Sequence, residues 1–142
     1  MLTAKITTLN LVDCWLDSDP DRARVHVNFP LNKAAGTDGG AVVYFEVSPG
    51  EYLARHTDSP EEILYIVAGT AEAEVGDERG VVTAGDLAVI PAMVPHGLRN
   101  IGDETVKVVG FFCEPEVTST FAEPMQPIGE RVLEQAPVPA AA

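Results

Sequence analysis

Positive charge is scarce in this chain of 142 residues, in which 9 Lys and Arg stand against 22 Asp and Glu. The resulting formal net charge of −13 produces a surface that repels phosphate backbones and anionic lipids. We therefore expect neither a nucleic-acid partner nor binding to a membrane surface. We interpret the acidity as a source of solubility rather than as an acidic recognition face.

Cysteine is also sparse, and long apolar runs are missing. Cys14 and Cys113 are the two cysteines and form no CxxC pair. Reduced thiols are the simpler interpretation, although the sequence leaves a disulfide open. No segment reaches the roughly 20 apolar residues of a membrane span. Polar residues interrupt the apolar positions near Lys5, so we expect no signal peptide and a cytoplasmic location.

Short strands separated by turns are the main pattern along the chain. Arg24 to Pro30 alternates apolar and polar residues, as a half-buried strand does. His26 lies on the polar face, and we interpret it as a solvated or hydrogen-bonded histidine rather than a ligand. Turn signals recur roughly every 8–12 residues, which favours an all-β antiparallel barrel or sandwich.

The length of the chain suits one domain. We expect a single barrel domain over residues 1–122 and a short, partly disordered Pro/Ala-rich tail over residues 123–142. Residues 1–10 suit a first strand, residues 12–22 a loop or turn, and residues 130–135 a short helix.

Four residues with metal-binding side chains stand out near strands bounded by Gly and Pro: His56, Asp58, Glu62 and His96. His56 and Asp58 are two apart, which places both side chains on one face of a strand. Glu62 opens the apolar run ILYIVA, where a buried carboxylate needs a partner such as a metal ion. His96 follows a Pro-flanked turn in a second stretch, residues 85–100.

The two stretches resemble the paired motifs of the cupin superfamily. The eight positions that agree with those motifs in type and spacing are Gly50, His56, Glu62, Gly69, Gly85, Pro91, His96 and Asn100. Asp58 stands where the first motif usually has its second histidine, and Met93 stands where the second motif usually has a glycine. The resemblance implies a small double-stranded β-helix, or jelly-roll barrel, with a metal at its core. It implies no single reaction, since this fold hosts many.

The ligand set that the resemblance implies has two nitrogen and two oxygen donors: His56, Asp58, Glu62 and His96. Such a set suits a divalent transition metal, namely Fe²⁺, Mn²⁺ or Zn²⁺, with Ni²⁺ as a further candidate. Asp58 either binds the ion directly or accepts an N–H from a ligating imidazole. Glu62 and Asp58 are also the candidate catalytic bases.

The alternation along the strands predicts what surrounds this site. We expect a small, mostly apolar pocket for an organic molecule, shaped by Tyr52, Leu64, Ile66 and Leu98. We interpret Cys113 as a buried structural thiol, with a place in the pocket as the alternative. An outward apolar row of Ile63, Tyr65 and Val67 needs a cover, so we expect a homodimer.

Three function classes fit these features. The first is a metal-dependent small-molecule enzyme of the dioxygenase, isomerase or lyase type. The second is a non-catalytic small-ligand binder or sensor, and the third is a structural accessory subunit. A barrel without metal, in which the His and acid groups hydrogen-bond one another, is the alternative to a metal site. We favour the enzyme.

Overall fold

Alternating apolar residues produce twelve strands within residues 1–135, the part of the chain that the computed structural model describes. The strands are β1 (Val12–Leu16), β2 (Arg24–Leu31), β3 (Ala41–Val47), β4 (Tyr52–Asp58), β5 (Glu62–Ala68), β6 (Thr70–Val75), β7 (Glu78–Thr83), β8 (Leu87–Ile90), β9 (His96–Asn100), β10 (Val106–Phe112), β11 (Thr118–Gln126) and β12 (Glu130–Glu134). The helical elements of these residues are two single 3₁₀ turns, at Ile6–Thr8 and Lys33–Ala35.

The strands form one sheet that curls into a barrel. Its order is β7-β6-β9-β4-β11-β1-β2-β3-β10-β5-β8, and β12 pairs with β11 outside this path. Strands far apart in sequence, such as β4 and β11 or β3 and β10, are antiparallel neighbours. This arrangement is the double-stranded β-helix of a jelly roll. The predicted fold class is confirmed.

Strand β5 shows how the inner face of the sheet builds the core. Glu62, Leu64 and Ile66 are buried, whereas the residues between them are exposed, which is the alternation that the sequence predicted. The largest fully buried side chains of the described residues are Ile66, Ile90, Val47, Val106 and Val108. Apolar side chains therefore fill one part of the barrel. Glu62, the first residue of β5, is also buried on this inner face.

The outer face of β5 carries the apolar row that the sequence predicted. Ile63 and Tyr65 pair with Val89 and Leu87 of β8, and Phe111 of β10 lies opposite Ile63. All five side chains are exposed, between 40% for Tyr65 and 69% for Leu87. The role of this face in a dimer stays a prediction.

The N-terminal expectation was wrong in two places. Residues 1–10 form no strand, and Ile6–Thr8 is an exposed 3₁₀ turn. The interpretation of residues 12–22 as a loop missed β1, which lies between β2 and β11. β1 and β3 pair with the two edges of β2. The residues before Val12 therefore cannot add a strand beside β2. The charged Asp13 hid the short alternation of Val12, Cys14 and Leu16.

The sheet also continues further towards the C-terminus than expected. Residues 130–134 form β12, not a helix, and pair with β11. The expected domain boundary at residue 122 falls inside β11, and residues 136–142 of the expected tail lie outside the described residues. Within residues 1–135, no helix has the length and apolarity to cross a membrane.

Candidate metal centre

Two neighbouring strands bring His56 and His96 together. β4 and β9 are antiparallel, and His56 lies directly opposite His96. Side chains at opposed positions lie side by side on one face of a sheet, and the two ring centroids are 4.2 Å apart. On its other side, the ring of His56 stacks on Phe121 of β11 at 4.7 Å. One strand pair therefore brings together two histidines that are forty positions apart in the sequence.

Backbone carbonyls orient both imidazoles in the same way. Nδ1 of His56 lies 2.8 Å from the carbonyl oxygen of Ala54, and Nδ1 of His96 lies 2.9 Å from that of Val94. A neutral ring that donates its proton from Nδ1 keeps the lone pair on Nε2. Both Nε2 atoms therefore present lone pairs to the interior of the barrel.

Asp58 lies where these lone pairs converge. Its Oδ2 atom is 3.1 Å from Nε2 of His96 and 3.6 Å from Nε2 of His56. Its Oδ1 atom accepts a 2.6 Å hydrogen bond from the hydroxyl of Ser119. Burial opposes ionisation of this carboxyl, but the hydrogen bonds and charge that the two imidazoles supply when Nε2 carries a proton outweigh burial and lower the pKa of Asp58. Asp58 is thus a carboxylate whose free oxygen points at two imidazole nitrogens.

Glu62 extends the cluster at a greater distance. Its Oε1 atom is 3.7 Å from Nε2 of His96, and its side chain is almost fully buried. Burial and the negative charge of Asp58 raise the pKa of Glu62 well above its usual value. Gly110 on β10 provides the space, because a Cβ at that position would lie 2.2 Å from Oε2 of Glu62.

These donors fit a divalent transition metal. Within residues 1–135, His56, Asp58 and His96 are the group whose donor atoms lie within 4.8 Å of one another. Two imidazole nitrogens and one carboxylate oxygen match the preferences of Fe²⁺, Mn²⁺ and Zn²⁺. The predicted cofactor class, a divalent transition metal, is confirmed. The identity of the metal, the residues that bind it and the choice between direct binding and a supporting hydrogen bond for Asp58 stay predictions.

The cluster borders a cavity of about 610 Å³ inside the barrel. Most of its wall is apolar, and the aromatic side chains in it are Phe29, Phe45, Phe112 and Phe121. Polar side chains of the wall form a cluster at His56, Asp58, Glu62, His96 and Ser119, and Asn28, Glu130, Glu134 and Gln135 are the other polar lining residues. A cavity of this size and composition accommodates a small organic molecule.

The match to known families decides the classification. The profile of the Cupin domain family matches residues 43–112, about half of the chain. That stretch contains His56, Asp58, Glu62 and His96. The chain belongs to the cupin superfamily.

This cupin has curated relatives with different names. It is 33% identical to protein SchB of Streptomyces halstedii over 76 residues, and this alignment covers 53% of the chain and 55% of SchB. It is 27% identical over 107 residues to 3-hydroxyanthranilate 3,4-dioxygenase of Bacillus thuringiensis, which covers 72% of the chain and 58% of the dioxygenase. The chain spans somewhat more than half the length of these two relatives.

Solved structures show the same fold. An oxalate decarboxylase of Lactobacillus farciminis, in a formate complex, superposes with a TM-score of 0.67 at 22% identity over 79% of this chain and 33% of that chain. An oxalate decarboxylase of Bacillus subtilis superposes with a TM-score of 0.62 at 20% identity over 70% of this chain and 28% of that chain. At such identities the likeness shows the fold of this cupin alone.

The cupin cavity contains two of the four predicted pocket residues. Leu64 and Leu98 line it, whereas Tyr52 and Ile66 are not among its lining residues. A β-bulge between Leu53 and His56 adds one residue to β4 opposite β9, and such an insertion reverses the alternation. Leu53 therefore lines the cavity, and Tyr52 lies in a separate shallow depression with Arg99. Ile66 is buried in the core.

The thiols also differ from expectation. Cys113 is exposed, and Cys14 is the buried cysteine that lines the cavity. Both are free. Burial, with a smaller contribution from Asp13, raises the pKa of the Cys14 thiol to about 11. A neutral thiol of this kind acts as a small apolar wall group.

Motif reasoning missed the residues that β11 and β10 add to the centre. Ser119 and Phe121 lie beyond both motifs, and β11 places them opposite Asp58 and His56. The glycine within VKVVGFF was a readable signal, because glycine inside an apolar strand marks a close approach. The sequence around Ser119 contains no comparable signal.

Proposed function

We propose that this cupin is a metal-dependent enzyme that acts on a small, mostly apolar and aromatic organic molecule. The supporting observation is a buried His–Asp–His cluster that opens onto a cavity of about 610 Å³ with aromatic walls. Four phenylalanines favour a flat ring, since aromatic side chains stack on or against ring faces. The name of the Bacillus thuringiensis relative, 3-hydroxyanthranilate 3,4-dioxygenase, supports the aromatic ring, although the substrate in that name also carries a carboxylate.

The charges in the cavity narrow the substrate further. Among the described lining residues there is no Lys or Arg, whereas Asp58, Glu62, Glu130 and Glu134 carry carboxyl groups. Apart from a bound metal ion, the charge of an anionic substrate such as oxalate would have no cationic partner in this apolar enclosure and would face further carboxyl groups. A neutral molecule with a hydroxyl or carbonyl oxygen near the cluster fits better. We assign this cupin a neutral substrate.

Each polar residue has a separate role in this proposal. His56, His96 and Asp58 would hold the metal, and a divalent ion bound there would supply polarisation of a substrate oxygen. Glu62 is the proton donor in this proposal: burial and the negative charge of Asp58 raise its pKa, which favours the neutral carboxyl that can donate a proton or hydrogen bond into the cavity. Asp58, whose pKa is lowered, is the weaker base and acts as a ligand. The reaction is of the dioxygenase, isomerase or lyase type.

A matched pair of ligands tests the proposal. Protein purified without chelator is analysed for metal and then assayed with catechol and with its carboxylate, 2,3-dihydroxybenzoate. We expect stoichiometric metal, metal-dependent turnover of neutral rings, and at least about tenfold weaker binding of the anion. Preference for the carboxylate would contradict the neutral substrate. If a broad panel of neutral aromatic compounds gave no metal-dependent product, the proposal that this cupin is an enzyme would be contradicted.

A non-catalytic binder is the second candidate, and one observation favours it. Asp58 has polar partners in the absence of an ion, because Oδ1 accepts from the Ser119 hydroxyl and Oδ2 lies 3.1 Å from Nε2 of His96. Such a barrel can bind a ligand through its apolar wall alone. Thermal stabilisation by a neutral aromatic ligand, without product and without dependence on added metal, would favour the binder.

We also propose that the outer apolar face pairs with a second copy of the chain. β8 is an edge strand of the sheet. Its edge offers unpaired backbone groups beside the exposed side chains of Leu87 and Val89. An antiparallel pair of β8 strands about a two-fold axis would cover both the backbone edge and these apolar side chains. Sedimentation analysis should show a dimer that Leu87→Glu dissociates, and a wild-type monomer at all concentrations would contradict it. The cytoplasmic location stays a prediction.

A further inference from the structure

We propose that Ser119 and Gln135 are positioning residues that hold Asp58 in its metal-binding orientation, so that the seating of strand β12 sets the geometry of the metal centre. The inference rests on the proposed function in that the His56–Asp58–His96 cluster must bind a metal. Neither residue belongs to the motifs that identify the ligands. The argument depends on a chain of hydrogen bonds that runs from β12 through β11 to β4.

The first link joins Ser119 to Asp58. β11 and β4 are antiparallel, and the two residues are directly opposed. The Ser119 hydroxyl donates to Oδ1 of Asp58 at 2.6 Å, and both residues are 4% exposed. Hydrogen bonds to a carboxylate in a buried place are strong. Because Ser119 occupies Oδ1, the carboxylate plane is fixed and Oδ2 faces the two imidazoles.

The second link joins Gln135 to Ser119. Nε2 of Gln135 lies 3.1 Å from the Ser119 hydroxyl oxygen. A hydroxyl has one proton, and Ser119 directs it at Asp58, so the serine oxygen must act as an acceptor towards its other neighbour. The amide of Gln135 is a matching donor. The direction of both bonds is therefore determined by the negative charge on Asp58.

The backbone of Gln135 is held on both sides. Its N–H donates to the carbonyl of Val117 at 3.0 Å, and its carbonyl accepts from Nδ2 of Asn32 at 2.9 Å. Asn32 is itself buried, so this anchor is rigid. Gln135 consequently presents its side chain to Ser119 only when β12 lies along β11.

Strand β12 is also part of the cavity wall. Leu133, Glu134 and Gln135 line the cavity, and the strand pairs with β11 outside the path that closes the barrel. Displacement of β12 from β11 would move Gln135 away from Ser119. The seating of β12 is thus coupled to the orientation of Asp58.

Cobalt binding measures this coupling without any need for activity. The probe is Co²⁺ alone, with affinity from chelator competition and geometry from the visible absorption of the bound ion. We expect Ser119→Ala to weaken Co²⁺ binding about tenfold, the scale on which groups behind a ligand act, and to change the spectrum. Ser119→Thr keeps the hydroxyl and should restore both. Gln135→Ala should change the spectrum in the same direction with about threefold weaker binding.

Thr120→Ala is the matched control. Thr120 is adjacent to Ser119 on β11, on the opposite face of the strand, and losing its hydroxyl should leave Co²⁺ affinity and spectrum unchanged. Wild-type affinity and spectrum in both Ser119→Ala and Gln135→Ala would overturn the inference and leave the proposed function intact. A wild-type protein that binds no Co²⁺ would overturn both. If Ser119→Ala does not fold, the Gln135→Ala spectrum decides alone, and an unchanged spectrum overturns the coupling.

Discussion

Two histidine–carboxylate clusters in this cupin have similar residues and different chemistry. At the surface, Nδ1 of His26 bonds to Asp13, and Nε2 lies 3.1 Å from Oε1 of Glu51. Inside the barrel, His56 and His96 use Nδ1 for backbone carbonyls and direct Nε2 at one point. Both clusters combine imidazole with two acid groups, yet the inner cluster alone has converging lone pairs.

The difference shows that a metal site depends on where the lone pairs point. At His26 the two carboxylates lie on opposite sides of one ring, which suits a protonated imidazole held by two acceptors. At the inner cluster, backbone carbonyls accept a hydrogen bond from Nδ1–H of each ring, which leaves the second nitrogen for an ion. His26 is a hydrogen-bonded histidine, as the sequence predicted.

The largest expected effect comes from removing a histidine from each cluster in turn. His96→Ala deletes one of three converging donors and should weaken Zn²⁺ binding by roughly 100-fold or more, above the range for groups that only support a ligand. His26→Ala should leave Zn²⁺ affinity unchanged, and equilibrium dialysis with elemental analysis measures both. Equal losses in the two variants would break the distinction between the clusters.

Packing around the inner cluster should produce the next effect. In Gly110→Ala the new Cβ would lie 2.2 Å from Oε2 of Glu62 and 2.7 Å from Cγ1 of Val43. We expect a loss of about 1–3 kcal/mol in the free energy of unfolding, as in other overpacked cores. Gly80→Ala is the control, since no atom lies within 4 Å of a Cβ there, and should change it by no more than about 0.5 kcal/mol. Urea denaturation measures both variants. Equal losses of stability in Gly110→Ala and Gly80→Ala would contradict tight packing around Glu62.

The smallest effect is a pH dependence at the surface cluster. Burial alone would lower the pKa of His26, but its hydrogen bonds to Asp13 and Glu51 outweigh burial and raise it. Because the folded pKa exceeds the unfolded value, the stabilisation is complete below about pH 6.5 and is lost as pH rises through the folded pKa. His26→Gln should therefore cost about 0.5–1 kcal/mol at pH 6 and less at pH 9.

Urea denaturation of the wild type and His26→Gln at both pH values measures this difference directly. Since the inner cluster is the same in both proteins, its own titration cancels. A cost that is equal at pH 6 and pH 9, or greater at pH 9, would show that His26 is not held as a cation.

The motifs located the inner cluster, and the wider structure supplied its surroundings. His56 and His96 could be paired from the sequence because each motif places its histidine at a fixed distance from glycine and proline turns. The place of Leu53 in the cavity wall could not be predicted, because the bulge in β4 depends on how β9 pairs with β4. Ser119 and Gln135 were equally hidden, since only the pairing of β11 with β4 and β12 brings them near Asp58.

The ends of the chain show the same limit. Short alternations such as that of β1 are weak signals, and a charged residue within them favours a loop. For β12, the helical interpretation of residues 130–135 considered local propensity without the neighbouring strand. Pairing with β11 decided the outcome, as tertiary contacts often do for short segments.

Anomalous scattering from crystals grown with Zn²⁺ tests the central claim most directly. The account predicts one ion per chain inside the barrel, about 2.0–2.2 Å from Nε2 of His56, Nε2 of His96 and Oδ2 of Asp58, the usual lengths of such bonds. An ion beside His26 instead, or no peak between residues 56 and 96 at saturating Zn²⁺, would contradict it.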